Sequence, residues 1–191
     1  MRVLVACERS GIIRDAFITK GHHAVSCDLQ PSERPGPHIQ DDVLKYINDG
    51  WDLMVAHPEC KDIAVSGARH FKDKNQQPAI DFFMAMVNAP IKRISVENPV
   101  GIMSTLYRKP DQYIQPYYFG EDASKKTGLW LKGLPKLTHT KYIPPRIVNG
   151  RKRWGNQTDS GQNKLGPSEH RSMDRARTYP GIAAAMADQW G

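Results

Sequence analysis

The chain has few cysteines, few glycines in its first turn and no long apolar run, and each shortage excludes something. Its three cysteines, Cys7, Cys27 and Cys60, cannot all pair and follow no metal-ligand spacing. Disulfides are therefore not expected, and thiols of a reducing compartment are. Seven histidines include no His-x-x-x-His repeat, so no metal site is expected. No apolar stretch nears the roughly 18–20 residues needed to cross a bilayer, which excludes a membrane partner. The first apolar run, Val3 to Ala6, is too short for a signal-peptide core and meets Glu8 and Arg9 at once. The expectation is a cytoplasmic protein. Only Gly11 stands in the turn that follows, so the dinucleotide pattern G-x-G-x-x-G is missing and a cofactor with a pyrophosphate is not expected.

What is present describes an ordinary globular chain. Its 191 residues, 25% charged and 39% hydrophobic, suffice for one domain with a real core. We read residues 1–191 as that single domain. The net charge is +7, and the excess is uneven. Between Lys136 and Arg171 stand Lys136, Lys141, Arg146, Arg151, Lys152, Arg153, Lys164 and Arg171, against Asp159 and Glu169. Positive potential of this kind draws polyanions, nucleic acid above all, although a solvated basic loop has the same composition.

The pattern of apolar residues alternates strand and helix. Residues 2–6 predict a strand, and Ser10-Gly11 opens a helix with Ile12, Ile13, Ala16 and Phe17 at helical spacing, closed by Lys20-Gly21. Residues 24–28 predict a second strand ending in Asp28. A stiff loop with Pro31, Pro35 and Pro37 follows, then a short helix over 42–48. A buried strand over 51–56 runs into His57-Pro58. Residues 76–89 read as an amphipathic helix, and 91–96 as a strand entering Glu97-Asn98-Pro99. This β-α-β alternation predicts an α/β fold with a mostly parallel sheet and helices on both faces. Residues 128–131 predict one more strand and 182–190 a closing helix. Residues 135–172, rich in Gly, Pro, Asn and Lys, read as a long ordered loop or a partly disordered segment.

Three stretches carry chemistry, each where a strand meets a loop: residues 6–17, 57–60 and 96–99. In an open α/β sheet that rim binds ligands. Asp28, at the end of the second strand, stands where an acid accepts hydrogen bonds from a ribose diol, and Asp42 where one meets an adenine amino group. Singly, each is more often a cap. Cys60 has the access a nucleophile needs, but Glu59 disfavours its thiolate and Lys61 offsets that; a buried structural cysteine remains the plainer reading of the residue alone. Glu97, beside Asn98 and Pro99, can hydrogen-bond the ring nitrogen and exocyclic amine of an unstacked base, or simply form an ion pair.

Together these motifs resemble the S-adenosylmethionine-dependent cytosine-5 DNA methyltransferases, most of all their small phage and prophage relatives. The likeness extends to residues 97–101, 127–130 and 180–183, and so along most of the chain. It implies a Rossmann-like class I methyltransferase fold in the cytoplasm of a bacterial host. It also implies that Glu8, Gly11, Asp28, Asp42 and Pro58 hold S-adenosylmethionine. Cys60 would be the nucleophile toward cytosine, with Glu97 and Asn98 reading the base. Lys125 and Arg153 would contact the phosphate or ring carbonyl, with Arg151 and Lys152 among the residues that meet DNA. The expected activity is methyl transfer to C5 of cytosine in DNA, on duplex, single strand or nucleotide. Three departures keep alternatives open. Glu59 replaces the family's second proline, the glycine-rich first turn is thinned to Gly11 alone, and the basic 135–172 segment stands in place of a recognition domain. The alternatives are a degenerate methyltransferase fold that binds a nucleotide or nucleic acid without turnover, in the manner of phage counter-defence, and methylation of a free nucleotide or RNA.

Overall fold

The structure, a computed structural model, describes residues 1–65, 75–168 and 171–191, without the side chains of residues 172 and 173. Glu169, counted above among the acids of the basic segment, lies outside them.

Seven strands form one sheet: β1 (Arg2–Ala6), β2 (His23–Asp28), β3 (His38–Gln40), β4 (Leu53–Ala56), β5 (Arg93–Pro99), β6 (Gln112–Ile114) and β7 (Thr127–Lys132). Their order is β3-β2-β1-β4-β5-β7-β6. β1 pairs in parallel with both β2 and β4, and β4 with β5, whereas β7 runs antiparallel between β5 and β6. The central strands RVLVA and LMVA are buried on both faces, which is why they read as unbroken apolar runs rather than alternating ones. Val3, Val5, Leu53 and Val55 pack against α1 (Ile12–Thr19) and the C-terminal helix α5 (Pro180–Trp190). Leu4, Ala6, Met54 and Ala56 face the other way, toward Phe83 and Met86 of α2 (Gln77–Val87). The result is three layers, helix-sheet-helix.

Most elements fall where periodicity places them. The expected short helix at 42–48 is a single 3-10 turn, Val43–Lys45, capped by the Asp42 carboxylate on the Leu44 amide at 3.0 Å. β5 runs three residues beyond the expected strand, because β7 pairs with it as far as Pro99↔Thr127. Glu97 and Asn98 therefore sit in the sheet, not in a loop after it. The short elements β3, β6, α3 (Met103–Leu106) and α4 (Arg171–Ala176) have too few residues to show a period. The 135–172 segment also holds a hairpin, β8 (Arg146–Val148) with β9 (Arg151–Arg153), outside the main sheet. Among the described residues, no helix is long and apolar enough to cross a membrane.

Candidate functional site

The chain leaves β1, builds β2 and β3 to one side, then returns to lay β4 on the other side of β1. That reversal opens a crevice beyond the carboxyl ends of β1 and β4. A cleft of about 770 Å3 occupies it, within the roughly 300–1,000 Å3 range of small-molecule sites. Among the described residues its walls carry seven carboxylates (Glu8, Asp28, Glu33, Asp41, Asp42, Glu59 and Asp62) against two arginines, Arg9 and Arg177. In a chain of net charge +7 this is a local inversion of sign. It suits a neutral or cationic ligand and opposes a phosphate chain.

The predicted cofactor residues divide by what their atoms already do. Asp28 accepts from the Gln30 amide at 2.9 Å, and Asp42 caps the 3-10 turn. Each uses one oxygen in these bonds, which leaves the other without a partner among the described residues. Glu8 lines the cleft, but both its oxygens are committed. Oε1 accepts from the Ser10 hydroxyl (3.0 Å) and the Ile13 amide (2.8 Å), and Oε2 from the Arg14 amide (3.2 Å). It thus satisfies the free amides at the start of α1, a task the glycine at the cap cannot perform. Gly11 is needed for another reason. Its φ of 70° is left-handed, and a β-carbon there would lie 2.5 Å from the Arg14 guanidinium. Neither Gly11 nor Pro58 lines the cleft.

That guanidinium is fully buried. It donates to Asp15 (2.8 Å), Pro35 O (2.9 Å), Ser32 Oγ (3.1 Å) and Ser26 Oγ (3.2 Å), and so sews the proline-rich 31–37 loop onto α1 and β2. The same loop carries Glu33, which pairs with Arg9 (3.0 Å) and with Arg177 (2.9 Å) at the cleft wall. Hydrogen bonding to Arg177 is the main reason the Glu33 carboxyl lies below its ordinary value. Sequence reading passed over Arg14, because an arginine at a helical position looks like a surface residue.

The predicted catalytic residues gather beside the cleft. The Asn98 side-chain amide, 2% exposed, donates to the Pro58 carbonyl at 3.1 Å, fastening the 57–60 loop to β5. His57 lines the cleft, and its Nδ1 lies 3.4 Å from Glu97 Oε2. Among the described residues, Glu97 Oε2 and His57 Nε2 are buried and make no hydrogen bond, Oε2 having only the 3.4 Å contact with His57 Nδ1. Burial pushes the Glu97 carboxyl up, but His57 and Lys125 outweigh it and hold the group below its ordinary value. His57 went unremarked in the sequence, where its only signal is adjacency to Pro58.

Cys60 is partly buried, and burial raises its thiol above the ordinary value. Glu59 pushes the same way, while Lys125 and Arg175 oppose it. Cys27 is pushed up to about 11 and Cys7 further still, both chiefly by burial, so these two thiols stay protonated at neutral pH. Lys125 acts on both Cys60 and Glu97. Its amide donates to Gln115 Oε1 (2.9 Å), and its ammonium to the Ala176 and Arg177 carbonyls (3.4 Å each), at the end of α4. The predicted nucleic-acid residues Arg151 and Lys152 are exposed on β9. Arg153 is largely committed to the 159–160 backbone, donating to Asp159 O at 3.0 Å and Ser160 O at 3.3 Å.

The class is thus a doubly wound, mostly parallel α/β sheet with a cleft at its switch point. Comparison with known proteins agrees on the fold. No family model matches the chain, and no curated protein does. Among solved structures, a similar one is an E. coli "putative DNA modification methyltransferase encoded within prophage". It superposes with a TM-score of 0.50 at 14% identity, over 76% of this chain and 52% of that one. The chain thus spans about half the length of that protein, and the likeness is one of fold.

Proposed function

We propose that this chain transfers a methyl group from S-adenosylmethionine to C5 of cytosine in DNA. The observation that carries the proposal is adjacency: the acid-lined cleft shares His57 and Glu59 with the loop that carries Cys60, and that loop meets β5 through His57 against Glu97 and Pro58 against Asn98. The cleft fits the cofactor in size and in sign. Asp28 would take the ribose hydroxyls, Asp42 the adenine amine, and the surrounding carboxylates the positive charge. When bound, the cofactor supplies an electrophilic methyl group on a sulfonium.

The rest of the chemistry belongs to the chain. In its thiolate form Cys60 bonds through Sγ to C6 of cytosine, and the C5–C6 pair of electrons shifts to make C5 nucleophilic. In this step the exocyclic amine of the base donates to the Glu97 carboxylate, and a proton taken up from solvent and held between Glu97 and N3 balances the charge that addition puts on the ring, with His57 fixing the carboxyl and Asn98 fixing the loop that carries the sulfur. Once C5 is methylated, a base removes its proton, the C5–C6 double bond re-forms and Cys60 leaves. Lys125, which lowers the Cys60 thiol, would favour the thiolate in the first step and contact a ring carbonyl or phosphate.

The raised Cys60 thiol favours a second reading, a degenerate methyltransferase fold that binds a nucleotide or nucleic acid without turnover. Incubation with S-adenosylmethionine and DNA carrying 5-fluorocytosine separates the two. Fluorine at C5 cannot leave as the proton does, so a working enzyme remains covalently attached through Cys60. Cys60→Ser should abolish the adduct while calorimetry still detects cofactor binding. Binding without an adduct in the wild-type protein would sink the nucleophile assignment and leave the second reading.

A further inference from the structure

The β8–β9 hairpin has no part in the chemistry above, yet it is strongly built. Asn149 and Gly150 have φ values of 48° and 73°, the two left-handed residues of a two-residue turn matched to strand twist. Arg146 pairs with Asp159 and donates to Gln157 O at 2.6 Å, and Arg153 binds the 159–160 backbone from the opposite strand. At its base Trp154 stacks on Tyr117, centroids 4.0 Å apart and planes 10° apart. Asn156 and Ser124 then exchange two hydrogen bonds of 2.9 and 3.0 Å, joining the hairpin base to the loop that carries Lys125.

A lone two-stranded ribbon is marginal in water, so this much bracing marks a shape that is held for use. Both strands are exposed. One face pairs Ile147, 64% exposed, with Lys152, and the other pairs Val148 with Arg151. Each face thus presents an apolar side chain beside a cation, and among the described residues neither the Arg151 nor the Lys152 side chain has a hydrogen bond or ion pair.

We infer that the β8–β9 ribbon enters the major groove of duplex DNA and positions the duplex over the Cys60 site. This rests on the reading of DNA as substrate. The groove, about 12 Å wide, admits a two-stranded ribbon, whereas the deep, narrow major groove of an A-form RNA duplex does not. Cations on both faces meet the phosphates of both groove walls, and Ile147 and Val148 meet base edges and thymine methyls. The Trp154–Asn156 base then transmits the docking register to Lys125.

The test is fluorescence anisotropy of the full chain with a labelled DNA duplex of mixed sequence, over about 50–200 mM salt. The double variant Arg151→Gln, Lys152→Gln should lower the slope of log K against log salt by about 2, since each phosphate contact contributes roughly 0.9. Gly150→Val keeps every charge but forces a β-branched residue into a left-handed position with open space around it, and should weaken duplex binding. A duplex RNA of the same sequence should bind the wild-type protein more weakly than the DNA. Unchanged slope and affinity in the variants, equal RNA binding, or no wild-type binding to duplex DNA would each overturn the ribbon. A short single-stranded oligonucleotide with 5-fluorocytosine reports on the chemistry separately. Its adduct should form with the wild-type protein, and its absence there would count against cytosine chemistry alone.

Discussion

Replacing Arg14 by leucine keeps an apolar stem on α1 and removes a guanidinium that is fully buried. Four bonds of 2.8 to 3.2 Å are lost, to Asp15, Pro35, Ser32 and Ser26. Hydrogen bonds to charged groups are worth about 1.5–3 kcal/mol each, but they do not simply add here. Ser26 keeps His38 Nδ1 at 2.9 Å, Ser32 keeps Arg34 O at 2.7 Å, and Asp15 reaches water. The loss should therefore fall below the sum, at about 2–4 kcal/mol, near the range for breaking a buried pair. Against a typical total of about 5–15 kcal/mol that is a severe change. With a urea slope of roughly 2–3 kcal/mol per molar, the unfolding midpoint followed by tryptophan fluorescence should drop by about 1 M. Because the 31–37 loop carries Glu33, cofactor affinity should fall as well. A midpoint shift under about 0.3 M would refute the reasoning, since it would mean that the loop holds its place without the guanidinium.

Further outcomes follow from the site. Asp28→Asn should weaken S-adenosylmethionine binding by about tenfold in calorimetry, as one charge-assisted acceptor becomes a weaker one. Glu59→Gln removes a charge that raises the Cys60 thiol, so the alkaline limb of the rate of adduct formation should move to lower pH. An unmoved limb would place Glu59 too far from the sulfur to matter. Glu97 lies below its ordinary value of 4.5 in the folded protein, so its carboxylate contributes stability above that pH and loses it as pH falls. Glu97→Gln should therefore flatten the decline of the urea midpoint below about pH 4.5, and an equal decline in both proteins would remove the coupling.

The sequence by itself determined the frame. Val3 to Ala6 and Leu53 to Ala56 are apolar at every position, and such a run fits only a strand buried on both faces. Helical spacing in α1 and α2 then makes the parallel α/β sheet the one arrangement that covers them. The place of Asp28 at the end of β2 and of Cys60 in the loop after β4 was legible too, whereas Glu97 was expected after its strand and lies within β5. Local patterns cannot show which partner an atom meets across the fold, and there the tertiary structure decided. Glu8 reads as a cofactor acid but is spent on the amides of α1. Asn98 reads as a base contact, yet it ties down the loop before Cys60. His57 and Arg14, silent in the sequence, take their roles only when β4 meets β5 and the proline loop folds onto α1. The acid lining of the cleft was hidden for the same reason. Among the described residues, seven carboxylates from separate segments converge only in three dimensions, while the composition of the whole chain reports the opposite charge.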